Sequence, residues 1–140
     1  MATPYSMIDD MFLSDIKDDE LLLYDVDDRN EILDNLRRKA IAQFKCCLKD
    51  LSDRNEQERQ FNADLTDEEI LILATAMRKF WLNDKIYDLK LLKQRMSTKD
   101  WKMTSQAEHL LRLMDLKRET DKELSRMIVD YTFYSYPLKK

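Results

Sequence analysis

Glycine is absent from this chain, and its only prolines are Pro4 and Pro137, close to the two ends. Residues 5–136 therefore carry neither of the two strong helix breakers, so long helices meet no obstacle there. The lack of glycine also excludes chemistry. A phosphate-cradling loop and a dinucleotide fingerprint both need glycines so that backbone N–H groups can approach the phosphates, and neither motif can be written in this sequence. Histidine occurs once, as His109, and cysteine twice, as the neighbours Cys46 and Cys47. Without a second histidine or a spaced pair of thiols, the common zinc sites are out of reach. A calcium loop is excluded too, because its sharp turn demands glycine and its twelfth position a glutamate. Long apolar runs are missing as well, and none reaches the roughly 18 to 20 residues that span a bilayer.

What the sequence does contain is charge over an apolar framework: 37% of its 140 residues are charged and 44% hydrophobic, which suits one helical core under a polar surface. The formal net charge of -4 argues against general affinity for nucleic acid, which depends on cations displacing counterions from phosphates. That average hides an asymmetry. Residues 1–28 hold nine acidic side chains and one basic, whereas the remainder holds 19 acidic and 23 basic. The plain reading is a solvated acidic face; the sharper one is head-to-tail association, the acidic end of one copy against the basic body of the next. Adjacent cysteines on a helix point about 100° apart and form no bridge with each other. Together with the start Met1-Ala2-Thr3-Pro4, which lacks the basic and apolar regions of a signal peptide, they lead to the expectation of a cytosolic chain.

Periodicity divides the chain into elements. Ser6 is placed to cap a first helix over residues 7–17, with Ile8, Met11, Phe12 and Ile16 on one face. A second amphipathic helix is expected over residues 28–49, its stripe running through Ile32, Leu33, Leu36, Ala40, Phe44, Cys47 and Leu48. Residues 51–66 read as a long polar connection anchored by Phe61 and Leu65. Thr66 and Glu69 have the spacing of a capping box and open a helix that is apolar on nearly every side over residues 70–82, the expected centre of the fold. Asn83 and Asp84 suggest a break before a further helical piece ending near Met96. Ser105 and Glu108 repeat the box spacing ahead of a final long helix. Past Asp130 the run Tyr131-Thr132-Phe133-Tyr134-Ser135-Tyr136 is dense in aromatics and poor in helix formers, so an extended tail is expected. The fold class that follows is all-α: a compact bundle of four to five helices over residues 1–130, with an apolar central helix and an extended C-terminal tail over residues 131–140.

Catalysis finds little support. Paired carboxylates such as Asp9-Asp10, Asp18-Asp19 and Glu68-Glu69 are common on charged helices and carry little information about acid–base work. A Cys46 or Cys47 nucleophile would need a neighbouring base or a lowered pKa, and Cys47 falls on the buried stripe as a small core residue. The expectation is a protein that is not an enzyme, needs no cofactor or metal, and acts by binding other chains. Two sets of residues are the candidates for that role: the tail aromatics Tyr131, Phe133, Tyr134 and Tyr136, and the acidic-end residues Asp9, Asp10, Asp18 and Asp19.

Several segments carry a family resemblance. Met1-Ala2-Thr3-Pro4-Tyr5-Ser6, Leu51-Ser52-Asp53-Arg54, the stretch from Gln60 through Asp64-Leu65-Thr66 to Ile70, Ser97-Thr98-Lys99-Asp100 and Asp130-Tyr131-Thr132-Phe133 resemble short proteins encoded among the head and neck genes of tailed phages and prophages of Gram-positive-type bacteria. The likeness spans almost the whole chain. A compact helical protein with a central apolar helix and an extended C-terminal tail looks like the head-tail connectors, also called adaptors or head-completion proteins. The resemblance implies a virion protein of the neck, assembled in the host cytoplasm, whose copies form a ring, commonly of twelve, below the portal protein and receive a stopper or tail-completion protein. Alternatives from the same reading are another neck, tail-completion or tail-assembly subunit, or a small helical DNA-binding regulator. For the last, Lys117, Arg118, Lys122 and Arg126 are the available cations, but Asp115, Glu119, Asp121 and Glu123 interleave with them as on an ordinary solvated helix, so neither sequence-specific DNA binding nor membrane association is expected.

Overall fold

The computed structural model describes residues 2–16 and 24–135. In order they form β1 (Thr3–Pro4), α1 (Tyr5–Ile16), α2 (Val26–Gln43), β2 (Arg54–Asn55), β3 (Gln60–Phe61), α3 (Asp67–Gln94), α4 (Thr98–Lys102) and α5 (Ser105–Ser135). The mostly helical bundle read from the sequence is what the chain forms. A three-stranded antiparallel scrap of sheet, ordered β1-β3-β2, pins the N-terminus to the long connection, with Thr3 opposite Phe61 and Arg54 opposite Phe61 on the other side.

The capping box at the start of α3 is complete. The N–H of Glu69 donates to Oγ1 of Thr66 at 3.2 Å and the N–H of Thr66 donates to Oε1 of Glu69 at 2.8 Å. From there α3 runs without interruption through Asn83 and Asp84, so the expected break is absent. Asn and Asp are only modestly unfavourable inside a helix, and Leu82 and Ile86, buried on either side of them, hold the helical register. With 28 residues, α3 extends over about 42 Å. It is the central helix: α1, α2 and α5 all pack against it. Ile70, Ile72, Leu73, Ala74, Ala76 and Met77 are buried, although Leu71 faces outward.

Other boundaries shift for identifiable reasons. Helix α1 begins at Tyr5, directly after the strand, so Ser6 lies inside its first turn instead of capping it. Helix α2 begins behind Asp25, whose carboxylate accepts from the N–H of Asp28 at 2.8 Å, and ends at Gln43, six residues before the expected end at 49. Phe44 leaves helical geometry there (φ -91°, ψ 61°) and turns its ring inward against Tyr131, centroid to centroid 5.1 Å. Helix α5 starts at Ser105 itself, which is therefore its first helical residue.

The C-terminal stretch is the main correction. Residues 131–135 are not extended but complete the last turns of α5. Leu124, Met127 and Tyr131 continue one inward stripe at helical spacing, and the burial of Tyr131 against Phe44 outweighs the preference of aromatic residues for extended backbone.

Two apolar cores lie along the α3–α5 pair. The larger, in the body, gathers Tyr5, Ile8, Phe12, Leu33, Leu36, Phe44, Phe61, Leu65, Leu73, Met77, Leu124 and Tyr131 among others. The smaller, in the distal arm, consists of Leu82 and Ile86 from α3, Trp101 from α4, and Leu110 and Leu113 from α5. Trp81, half-buried, packs against both. Between β2 and β3 the chain turns with Arg59 in the left-handed region (φ 55°), a position that glycine would normally take. Its guanidinium donates to both carboxylate oxygens of Asp34, at 2.8 and 3.1 Å, and its carbonyl accepts from the N–H of Tyr5 at 2.9 Å.

Candidate interaction surfaces

Of the four tail aromatics proposed as a docking set, Tyr131 is committed to the interior. Its ring is 2% exposed and its hydroxyl donates to Oε2 of Glu69 at 2.6 Å while accepting from the N–H of Leu48 at 2.8 Å. It cannot reach a partner without leaving the core, and its assignment as a docking residue is withdrawn. Phe133 and Tyr134, by contrast, are 69% and 78% exposed and pack edge to face at 4.9 Å. Val129, one turn before Phe133, is exposed too, so the end of α5 carries a small apolar patch on a helix fixed from beneath by Tyr131. Tyr136 lies outside the described residues.

The acidic end divides in the same way. Asp9 is buried and pairs with Arg37 at 2.5 Å, while its neighbour Asp10, about 100° further round α1, is exposed. Asp18 and Asp19 lie outside the described residues. Arg37, also buried, donates to Asp34 at 2.6 Å and stacks over the ring of Tyr5 at 4.2 Å, so α1, α2 and the hairpin meet in a chain of charges from Asp9 through Arg37 and Asp34 to Arg59. Burial pushes the carboxyl of Asp9 up despite the pull of Arg37. For Asp34 burial acts in the same upward sense, but the hydrogen bonds from Arg59 and Arg37 outweigh it and hold its carboxyl below the usual range. Asp9 is thus a structural group, and of the proposed acidic-end residues Asp10 is the one among the described residues that faces solvent.

A second polar cluster went unnoticed in the sequence. Glu69, 1% exposed, accepts from the backbone of Thr66, from Tyr131, from Lys49 at 3.2 Å and from the thiol of Cys47 at 3.4 Å. Burial raises its pKa, and these donors more than reverse that, leaving it below the ordinary value of 4.5. Burial also pushes the Cys47 thiol up to about 11, with the Glu69 carboxylate beside it acting in the same sense. In this arrangement the Cys47 thiol donates to Glu69, and both burial and that carboxylate favour its protonated form. The capping-box spacing was the one sequence signal that singled out Glu69; nothing local linked it to Tyr131, 62 positions away.

Along the arm, a groove of about 430 Å³ between α3 and α5 is lined by Ile86, Tyr87 and Met114, by Lys90, Lys117 and Arg118, and by Asp84 and Asp121. Two of the five cations of α5, Lys117 and Arg118, lie beside carboxylates of the same helix. Arg118 lies 3.3 Å from Asp115, Lys117 lies 4.0 Å from Asp121, and Glu123 accepts from Arg78 at 2.7 Å. Acidic and basic side chains thus alternate along this part of α5. Among the described residues no cluster of histidine, cysteine or carboxylate side chains is arranged to hold a metal ion, and no helix is long and apolar enough to cross a membrane. No protein-family model, curated protein or solved structure matches the chain.

Proposed function

We propose that the protein is a structural subunit of the tailed-phage neck, an adaptor whose copies form a ring below the portal and join the capsid to the tail. The observation that carries the binding part of this reading is the exposed Phe133–Tyr134 pair, extended by Val129, on the last turns of a helix whose opposite side is locked into the core. Rigid aromatic side chains in water are the kind of anchor that protein interfaces favour, because little conformational freedom is lost when a partner covers them. The phage setting rests on the resemblance of the segments at residues 1–6, 51–54, 60–70, 97–100 and 130–133. In this reading the portal protein is the first partner, a stopper or tail-completion protein the second, and further copies of the chain the lateral neighbours.

The test replaces Phe133 and Tyr134 together by Ser. Both are exposed, so the melting temperature should stay within a few degrees of wild type. Capture of the variant by portal protein, read by co-sedimentation, should be lost. A variant that melts like wild type and still binds the portal removes this patch from the interface, and a wild-type chain that does not bind the portal removes the adaptor reading.

A further inference from the structure

The groove on the arm and the start of α2 are complementary in both charge and apolar character. The segment from Leu82 to Arg118, which forms the distal arm, carries nine basic and five acidic side chains, a surplus of four positive charges. Its groove offers the half-buried Met114 and Tyr87, 62% exposed, as apolar surface above the buried Ile86. Of the two acids that line it, Asp121 is already met by Lys79 and Lys117, at 3.7 and 4.0 Å. The beginning of α2 is the reverse. Tyr24 and Val26 are exposed apolar side chains, set among Asp25, Asp27, Asp28 and Glu31, with Arg29 the one cation between Tyr24 and Glu31.

The geometry points to the groove of one copy receiving the start of α2 of a second copy, Val26 and Tyr24 covering Tyr87 and Met114 while Asp27, Asp28 and Glu31 face Lys90, Lys117 and Arg118. This deepens the ring reading by naming its lateral contact, and it rests on the chain being a homo-oligomer. The two surfaces sit on different parts of one molecule. The buried apolar residues of α2, Leu33, Leu36 and Ala40, belong to the body core, whereas Ile86 belongs to the arm core. A contact between unlike surfaces is head-to-tail: it leaves one groove and one acidic end open at each step and propagates until the rotation closes a ring. The opposite charges raise the encounter rate and set which surfaces meet, and the apolar side chains in the middle supply the burial.

The experiment uses the full chain and measures self-association by analytical ultracentrifugation at low and high salt. One variant reverses the groove (Lys117→Glu with Arg118→Glu), another reverses the acidic end (Asp27→Lys with Glu31→Lys). Each alone should associate about tenfold or more weakly than wild type, because like charges then face each other. An equimolar mixture should regain association, since each altered surface finds its opposite on the other variant; a folding defect cannot produce that recovery. Wild-type association should also weaken as salt rises. Wild-type monomers at low salt, single variants that associate like wild type, or a mixture that stays apart while both variants melt like wild type would each overturn the pairing. If the charge variants associate normally and the Phe133/Tyr134 variant alone loses the portal, the pairing falls and the adaptor reading stands. If the mixture recovers while wild type ignores the portal, the pairing stands without the adaptor.

Discussion

The body and the arm share the same two helices but are held together in different ways. Around the body end of α3 the apolar core is crossed by two buried polar clusters, one from Asp9 to Arg59 and one around Glu69, each tying together segments far apart in sequence. The arm core has five buried apolar residues and no such cluster among the described residues, only ion pairs at its surface. Apolar contacts are non-directional, whereas hydrogen-bonded charges depend on geometry, and in the first cluster Oδ1 of Asp9 and Nε of Arg37 are buried without a hydrogen-bond partner.

Three substitutions probe that contrast. The largest effect is expected from Arg37→Ala, which leaves the Asp9 carboxylate buried without its partner and should cost about 3 to 5 kcal/mol. Denaturant unfolding would show it as loss of the whole transition midpoint; a change of less than 1 kcal/mol would mean the pair is solvated. Next comes Trp101→Ala, for which a large-to-small change in a core costs roughly 3 kcal/mol, here confined to the arm. Hydrogen exchange should speed up at residues 82–115 and stay as in wild type around Leu73, and a uniform loss of protection would show that body and arm unfold as one. The smallest is Glu69→Gln. The folded-state pKa of Glu69 lies below its ordinary 4.5, so its contribution is present above pH 4.5 and is lost as pH falls through the lower folded value. Asp34, lowered from 3.8, acts in the same direction, and Asp9, raised from 3.8, opposes both. The variant should therefore be less stable at pH 7, by about 1 to 2 kcal/mol, with a shallower fall between pH 5 and 3. An unchanged slope would assign the acid sensitivity to other carboxylates.

Much of the framework could be read directly from the residues. The Thr66–Glu69 box located the start of α3, its apolar circumference marked it as central, and Phe61 and Leu65 were recognisable anchors in a polar stretch. What escaped was set by distant partners. Arg37 looks like any helix-surface cation until Asp9 and Tyr5 are brought to it, and the last turns of α5 look like strand until Phe44 and Glu69 receive Tyr131. The early end of α2 had no glycine or proline to announce it; the pull of the core on Phe44 supplies the stop. For the candidate surfaces, adjacency misled. Asp9 and Asp10 are chemically alike and one position apart, yet one is interior and the other is not.

Arg59 makes distant segments depend on one another. A non-glycine residue in the left-handed region costs about 1 kcal/mol or more, and here the two bonds to Asp34 offset that cost. The β2–β3 turn is therefore held by a carboxylate of α2 and not by its own backbone preference. Its second strand, β3, is the one the N-terminal strand pairs with. In a chain without glycine, this one turn makes the seating of the first residues depend on Asp34, a side chain roughly thirty positions away.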